Sequence, residues 1–303
     1  MGLFYNYNKT GKGVDKNAPK KSRGVLFFEI LLRHFWKIMK VNLLYSVFML
    51  PAFFAVFSFL MVSNVTMKFV ISGLCAVVFF AVFGPATTAV FKVMKNYSTE
   101  RHVFIIRDFK KGFTESYKKS LVAGIINIIV FISVYAAVTV YPKMAEAVGS
   151  NLIYVMLVLS ISLGIAVVMV SFYVYIMIAV TDIPLKGIIR NAVVLTVYEI
   201  KKNLLTLLFT LLIGGIFAFM AFLNLYTMVI YLVVPAAVIM FMISFNCYPV
   251  VKKYVIDPYY KKIGEKNPDD DDFDDEEAVF TDMGGKEEPI DNRKKNNKGR
   301  TIS

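Results

Sequence analysis

Few residues in this 303-residue chain have the types that bind metals or react, and their spacing argues against most catalytic schemes. The two histidines, His34 and His102, and the two cysteines, Cys75 and Cys247, lie far apart along the chain, without the close spacing of a metal-ligand set. There is no Walker sequence, no Gly-x-Ser-x-Gly and no His-Glu-x-x-His. The glycines of KTGKG at 9–13 precede no strand-to-helix apolar run that would cradle a phosphate, so that stretch reads as linker. No enzyme, no cofactor and no metal site is expected. What stands out instead is AVFGPATTAVFKVMKNY at 81–97, where Gly84, Pro85, Ala86, Thr87 and Thr88 interrupt an apolar run just before Lys92. Proline removes one helical hydrogen bond and glycine admits a neighbouring backbone. The segment therefore reads either as a closely packed kink or as an opened helix lining a polar cavity, as in discontinuous transporter helices.

The elements that carry this motif are membrane helices. Hydrophobic residues make up 57% of the chain and charged residues 18%, a balance foreign to soluble domains of this size. Apolar runs of about 20 residues, enough to cross a bilayer, occur at 41–62, 69–91, 120–141, 152–181, 203–223 and 227–248. None of the six contains Asp, Glu, Lys, Arg or His, which argues against ion-coupled pumping. The expected fold is all-α, with six spans arranged as three in-out-in hairpins.

Charge sets the expected orientation. Nine basic residues precede the first span and eight lie in 92–119, whereas the alternate connections 63–68, 142–151 and 224–226 hold only Lys68 and Lys143. By the positive-inside rule both termini lie in the cytoplasm. The first apolar run lies too far in, and lacks the small-residue pattern, for a cleaved signal, so the first span should remain as an anchor. The expected organisation is a flexible basic segment at 1–23, a membrane domain at 24–251 and a disordered acidic tail at 252–303. Residues 265–303 carry thirteen acids against seven bases, although the whole chain is +12. Nucleic acid is not an expected partner; the anionic inner leaflet is.

Three units repeat in outline: KIMKVNLLYSVF at 37–48, ESYKKSLVAGII at 115–126 and YEIKKNLLTLLF at 198–209 each lead a basic approach into a span. Each returning span meets a proline near its inner end, Pro85, Pro184 or Pro249, which suggests a bundle of pseudo-threefold character. The first approach, 24–40, sets Glu29, Arg33 and Lys37 in one polar stripe against an aromatic face with Trp36, the pattern of a helix in the inner interface. The second holds Arg107, Asp108 and Phe109 and reads the same way, with Gly112 weakening it. Both are candidate contacts for lipid or a partner.

The start MGLFYNYNKTGKGVDKNAPKK, the segment FFEILLRHFWKIMKVNLLY and FGPATTAVFKVMKNYSTERHVFIIRDFKKGF resemble the YesL-like family of bacterial integral membrane proteins, a domain of unknown function. The resemblance covers about the first 120 residues by motif and the remainder by layout. It implies a bacterial plasma-membrane location and an accessory role beside carbohydrate-uptake transporters and glycan-degrading enzymes. The positions matching the family are Gly84, Pro85, Ala86 and Thr87, with Arg107, Asp108 and Phe109, and no catalytic role attaches to them.

Polar residues within the spans, such as Asn127, Ser160, Ser171, Thr206 and Asn246, are sparse, and helix packing accounts for most of them. The clustered polar and aromatic contacts that a sugar requires are not evident. The expectation is a non-enzymatic accessory or scaffold protein acting with sugar-importer subunits or with copies of itself. A small transporter or channel for a neutral solute is the alternative.

Overall fold

A computed structural model describes residues 22–223, 235–265 and 267. Among these the chain forms helices and no strand. The elements are α1 (Arg23–Met61), α2 (Val65–Ser98), α3 (Ile105–Glu115), α4 (Tyr117–Val148), α5 (Ile153–Val180), α6 (Leu185–Tyr198), α7 (Ile200–Leu223) and α8 (Pro235–Val251). A π-helical turn, Lys252–Ile256, then leads into α9 (Asp257–Ile263). Six helical segments are long and apolar enough to cross a membrane, which is the make-up of a multi-pass membrane protein. Local chemistry sets several ends. Asn64 caps α2 by accepting from the Met67 amide at 3.1 Å. Gly149 stops α4 in the left-handed region at φ 66°. α5 stops at Val180, and Pro184 stands at the N-cap of α6.

Three helices, α2, α5 and α8, touch one another and form the inner triangle of the bundle. Each of α1, α4 and α7 packs against the inner helix that follows it in sequence, and also against the inner helix of the preceding unit. Thus α1 lies on α2 and α8, α4 on α5 and α2, and α7 on α8 and, over a short stretch, α5. The units begin with buried small polar residues, Asn42, Ser120 and Asn203. Each of these meets the preceding inner helix. Asn42 Oδ1 accepts the Ala237 amide of α8 at 2.7 Å, and Asn203 Oδ1 accepts the Tyr173 hydroxyl of α5 at 2.7 Å. The Ser120 backbone lies directly against Gly84 of α2. The repeat read from three weakly similar stretches is therefore a repeat of packing.

Several boundaries differ from those the sequence implies. The approach at 24–40 is not a separate interfacial helix: α1 runs unbroken from Arg23 to Met61, about 58 Å at 1.5 Å per residue. No glycine or proline lies between Gly24 and Pro51 to break it. Only the second and third approaches form helices of their own, α3 and α6. Similarly, α4 continues through Pro142 to Val148, so most of the expected connection 142–151 is helix. Residues 252–263, assigned above to the tail, extend α8, and Ile256 is buried in the core. Residues 266 and 268–303 of the tail, residues 1–21 and the connection 224–226 lie outside the described residues.

Candidate functional site

The motif that breaks the apolar pattern does not break the helix. α2 passes through Gly84-Pro85 without interruption, and every residue from Gly84 to Phe91 is buried. A Cβ added at Gly84 would stand 1.9 Å from the Ser120 carbonyl oxygen, and one added at Gly124 would stand 2.6 Å from Gly84 Cα. Backbones of α2 and α4 therefore meet at a distance only paired glycines permit. Gly112 serves the same purpose in α3, where an added Cβ would lie 3.0 Å from Ala89 Cα. Its cost to helix propensity is offset by close approach to α2.

Pro85 lacks the amide that would bond the Ala81 carbonyl. That carbonyl accepts instead from the Tyr117 hydroxyl of α4, at 3.2 Å. The same arrangement recurs at α8, where Pro249 leaves the Phe245 carbonyl free and Arg23 donates to it at 3.4 Å. Thr87 returns its hydroxyl to Phe83, at 2.7 Å, a carbonyl that proline had not freed. Thr87 thus does not answer the carbonyl that Pro85 frees; the next unit supplies the donor.

Above this packed hub all six long helices surround a cavity of about 920 Å³. Its walls are apolar, and no Asp, Glu, Lys, Arg or His is among its described lining residues. The polar lining groups gather at one end: Asn42, Tyr45 and Ser46 of α1, Thr87 of α2, Asn127 of α4, and Ser171 and Tyr175 of α5. They form two linked sets. Because Thr87 gives its proton to Phe83, Tyr45 is the donor in their 3.0 Å contact. Asn127 donates to the Tyr175 hydroxyl at 2.9 Å, and Ser171 shares one proton between Asn127 Oδ1 at 2.7 Å and the Val167 carbonyl at 2.8 Å. Phe91 stacks on Tyr175 with ring centres 5.8 Å apart, holding the phenol in place. Below this floor lie fully buried apolar side chains, among them Val90, Val93, Met94, Ile176 and Met177.

The other sequence-derived candidates, Arg33, Trp36, Lys37, Arg107, Asp108 and Phe109, do not line the cavity. Arg33 pairs with Glu29 at 3.0 Å and with Glu100, so α1 is tied to the end of α2. Trp36 is 77% exposed and Lys37 is exposed beside it. Arg107 stands over the Phe104 ring at 4.3 Å, and Asp108 accepts the Phe104 amide at 2.9 Å, closing the first turn of α3. Phe109 departs from the expected exposed group. It is 4% exposed and packs on Phe48 of α1 at 5.3 Å, so it belongs to the core. Lys92 donates to Glu115 at 2.8 Å, and this ammonium holds the Glu115 carboxyl below its ordinary range. Among the described residues no three His, Cys, Asp or Glu side chains stand close enough to share a metal ion.

Sequence reasoning did not find the cavity. Each helix contributes only one to three of these polar groups, ordinary residues in an apolar span. The available signal was depth: all seven lie toward the same, basic end of their helices. The expectation that clustered polar and aromatic groups are missing is thereby corrected in part, since α1, α2, α4 and α5 bring several together.

No curated protein and no solved structure matches the chain. Residues 38–138, about a third of the chain and including Tyr45, the Gly84–Gly124 contact and Asn127, match the family model described as "Protein of unknown function, DUF624".

Proposed function

We propose that this chain is a non-enzymatic accessory or scaffold component of a bacterial plasma membrane, acting with a carbohydrate uptake system. The observation that carries this reading is the apolar plug beneath the cavity floor. Val90, Val93 and Met94 of α2 and Ile176 and Met177 of α5 are fully buried there, which disfavours a continuous polar path for a solute. The carbohydrate context comes from the YesL-like resemblance alone. The membrane arrangement is three in-out-in hairpins with both termini in the cytoplasm. In support, α3, α6 and α9, with Arg107, Lys110, Lys111, Lys186, Arg190, Lys261 and Lys262, all follow the same ends of α2, α5 and α8. That end would face the anionic inner leaflet.

Affinity purification of the full chain in mild detergent tests the role: sugar-importer subunits should co-purify in near-stoichiometric amounts, and their absence would overturn it. For topology, cysteines at Asn64, Glu146 and Asn224, in a background lacking Cys75 and Cys247, should react with an impermeant thiol reagent on intact cells. Cysteines at Lys16 and Asp291 should stay unlabelled, and labelling of either would reverse the orientation. A second reading, a transporter or channel for a neutral solute, is favoured by the central cavity. Solute flux in vesicles containing the purified chain alone would support it.

A further inference from the structure

The cavity has a chemistry that narrows what it would hold. A volume of about 920 Å³ falls in the range of about 300–1,000 Å³ typical of small-molecule sites. Polar water has little to bond along the walls of Met49, Phe83, Val134, Ile165 and Ile239. A charged headgroup would find no counter-charge among the described lining residues, and burying it unpaired is prohibitive. A sugar would leave most of its hydroxyls against hydrocarbon. The floor, in contrast, offers a specific hydrogen-bonding partner. Tyr175, 4% exposed, accepts from Asn127, which leaves its own phenolic proton to donate.

Access is indicated by a second, independent feature. α4 is locked to α2 through Gly84 and Gly124, whereas the corresponding contact of α7 with α5 is brief. On α7, Gly214 lines the cavity, and added Cβ atoms at Gly214 and Gly215 would meet none of the described residues within 4 Å. A cavity-lining glycine with no close neighbour among the described residues, at the seam with the fewest contacts between described helices, points to a side opening toward lipid.

We propose that the central cavity binds a single-chain amphiphile with a small uncharged end group, the class of a long-chain alcohol. The end group would accept from Tyr175 at the floor, and the chain would leave between α5 and α7. The proposal rests on the membrane placement of the six helices but not on a partner, so failure of co-purification leaves it standing.

The test uses the full chain in nanodiscs and a diazirine-bearing hexadecanol as photoprobe. Adducts are mapped by mass spectrometry, with unlabelled hexadecanol and hexadecane as competitors. Adducts should appear on Met49, Phe83 and Ile239, and hexadecanol should protect them better than hexadecane. Gly214→Phe should abolish these adducts, with Ala52→Phe as a second filling variant and thermal melting as the check that each folds. Tyr175→Phe should weaken protection by hexadecanol about fivefold, the worth of one neutral hydrogen bond, and leave hexadecane unchanged. Adducts confined to outward residues such as Leu60 and Val77, or persisting in both filling variants, would overturn the site. Equal protection by alcohol and alkane would overturn the end-group assignment.

Discussion

The two seams flanking the inner triangle, α2 with α4 and α5 with α7, occupy corresponding places in the repeat but are built oppositely. At the first, Gly84 and Gly124 bring two backbones together, and Ser120 and Tyr117 add contacts on either side. At the second, Gly214 and Gly215 face open space, and α7 is held mainly at its start, where Asn203 joins Tyr173 to the Leu195 and Thr196 carbonyls. Glycine has contrary consequences at the two places. What decides its role is whether another helix has moved into the room it leaves. Within a pseudo-threefold frame, one side is fixed and another is left free to part.

The largest test of this contrast is to add bulk at each seam. Gly84→Leu or Gly124→Leu should cost more than about 3 kcal/mol, beyond ordinary overpacking, and abolish the monodisperse folded protein in detergent. Gly214→Leu should be tolerated, with a melting temperature at or above that of the parent. Similar losses at both places would erase the distinction.

Next in size is the polar anchor at the start of α7. Asn203→Leu takes from the buried Tyr173 hydroxyl its amide acceptor and from the Thr196 carbonyl its side-chain donor, while Leu195 keeps the Glu199 amide, and should cost about 2–3 kcal/mol. Limited proteolysis should show α7 loosened while α1 to α4 stay protected; uniform loosening would mean that α7 is held elsewhere.

A smaller effect examines the repair of Pro85. Tyr117→Phe should cost about 0.6–1 kcal/mol. In a Pro85→Ala background, where residue 85 regains an amide to serve Ala81, the same change should cost almost nothing. A double-mutant cycle on thermal stability measures this coupling, and additive losses would exclude it.

The smallest effect is electrostatic and lies beside the tight seam, where Lys92 and Glu115 join α2 to α3. Lys92 lowers the Glu115 pKa from its ordinary 4.5. The stability the pair contributes is therefore complete above the unfolded value and is lost as pH falls through the lower folded value. Both side chains are partly exposed, so the loss should stay under about 0.5 kcal/mol and shrink with salt. Glu115→Gln should remove that acid sensitivity from the melting curve.

How much of this was legible in the sequence varied with how local the cause was. The helical class and the six apolar segments follow from composition and run length, which any window of the chain displays. Close packing at Gly84 was one of two readings available, because small residues beside proline in a span have few other uses. The partner Gly124 and the donor Tyr117 were not legible, since nothing in a one-dimensional pattern pairs positions about 40 apart. Charge misled at two boundaries. Arg33, Lys37 and Lys40 suggested an end to the approach helix, yet a helix tolerates charges on an exposed stripe, and α1 continues past them to Met61. Lys252 and Lys253 likewise suggested a tail, while the apolar spacing of Val255, Ile256 and Tyr260 carried the helix onward. The cavity was hidden because its floor is assembled from four helices, each contributing one to three unremarkable polar groups.

The carbonyls left free by Pro85 and Pro249 bear on the order in which the chain can be assembled during synthesis. Ala81 has no donor until Tyr117 has been made, so the first pair of helices cannot finish its hydrogen bonding before the start of the second has arrived. Phe245 is answered by Arg23, made more than two hundred residues earlier, so that donor waits through the insertion of every intervening helix. α8, the last of the six long helices among the described residues, closes the ring against the first. A chain that stopped short of α8 would leave the Arg23 guanidinium without the Phe245 carbonyl it meets in the complete fold.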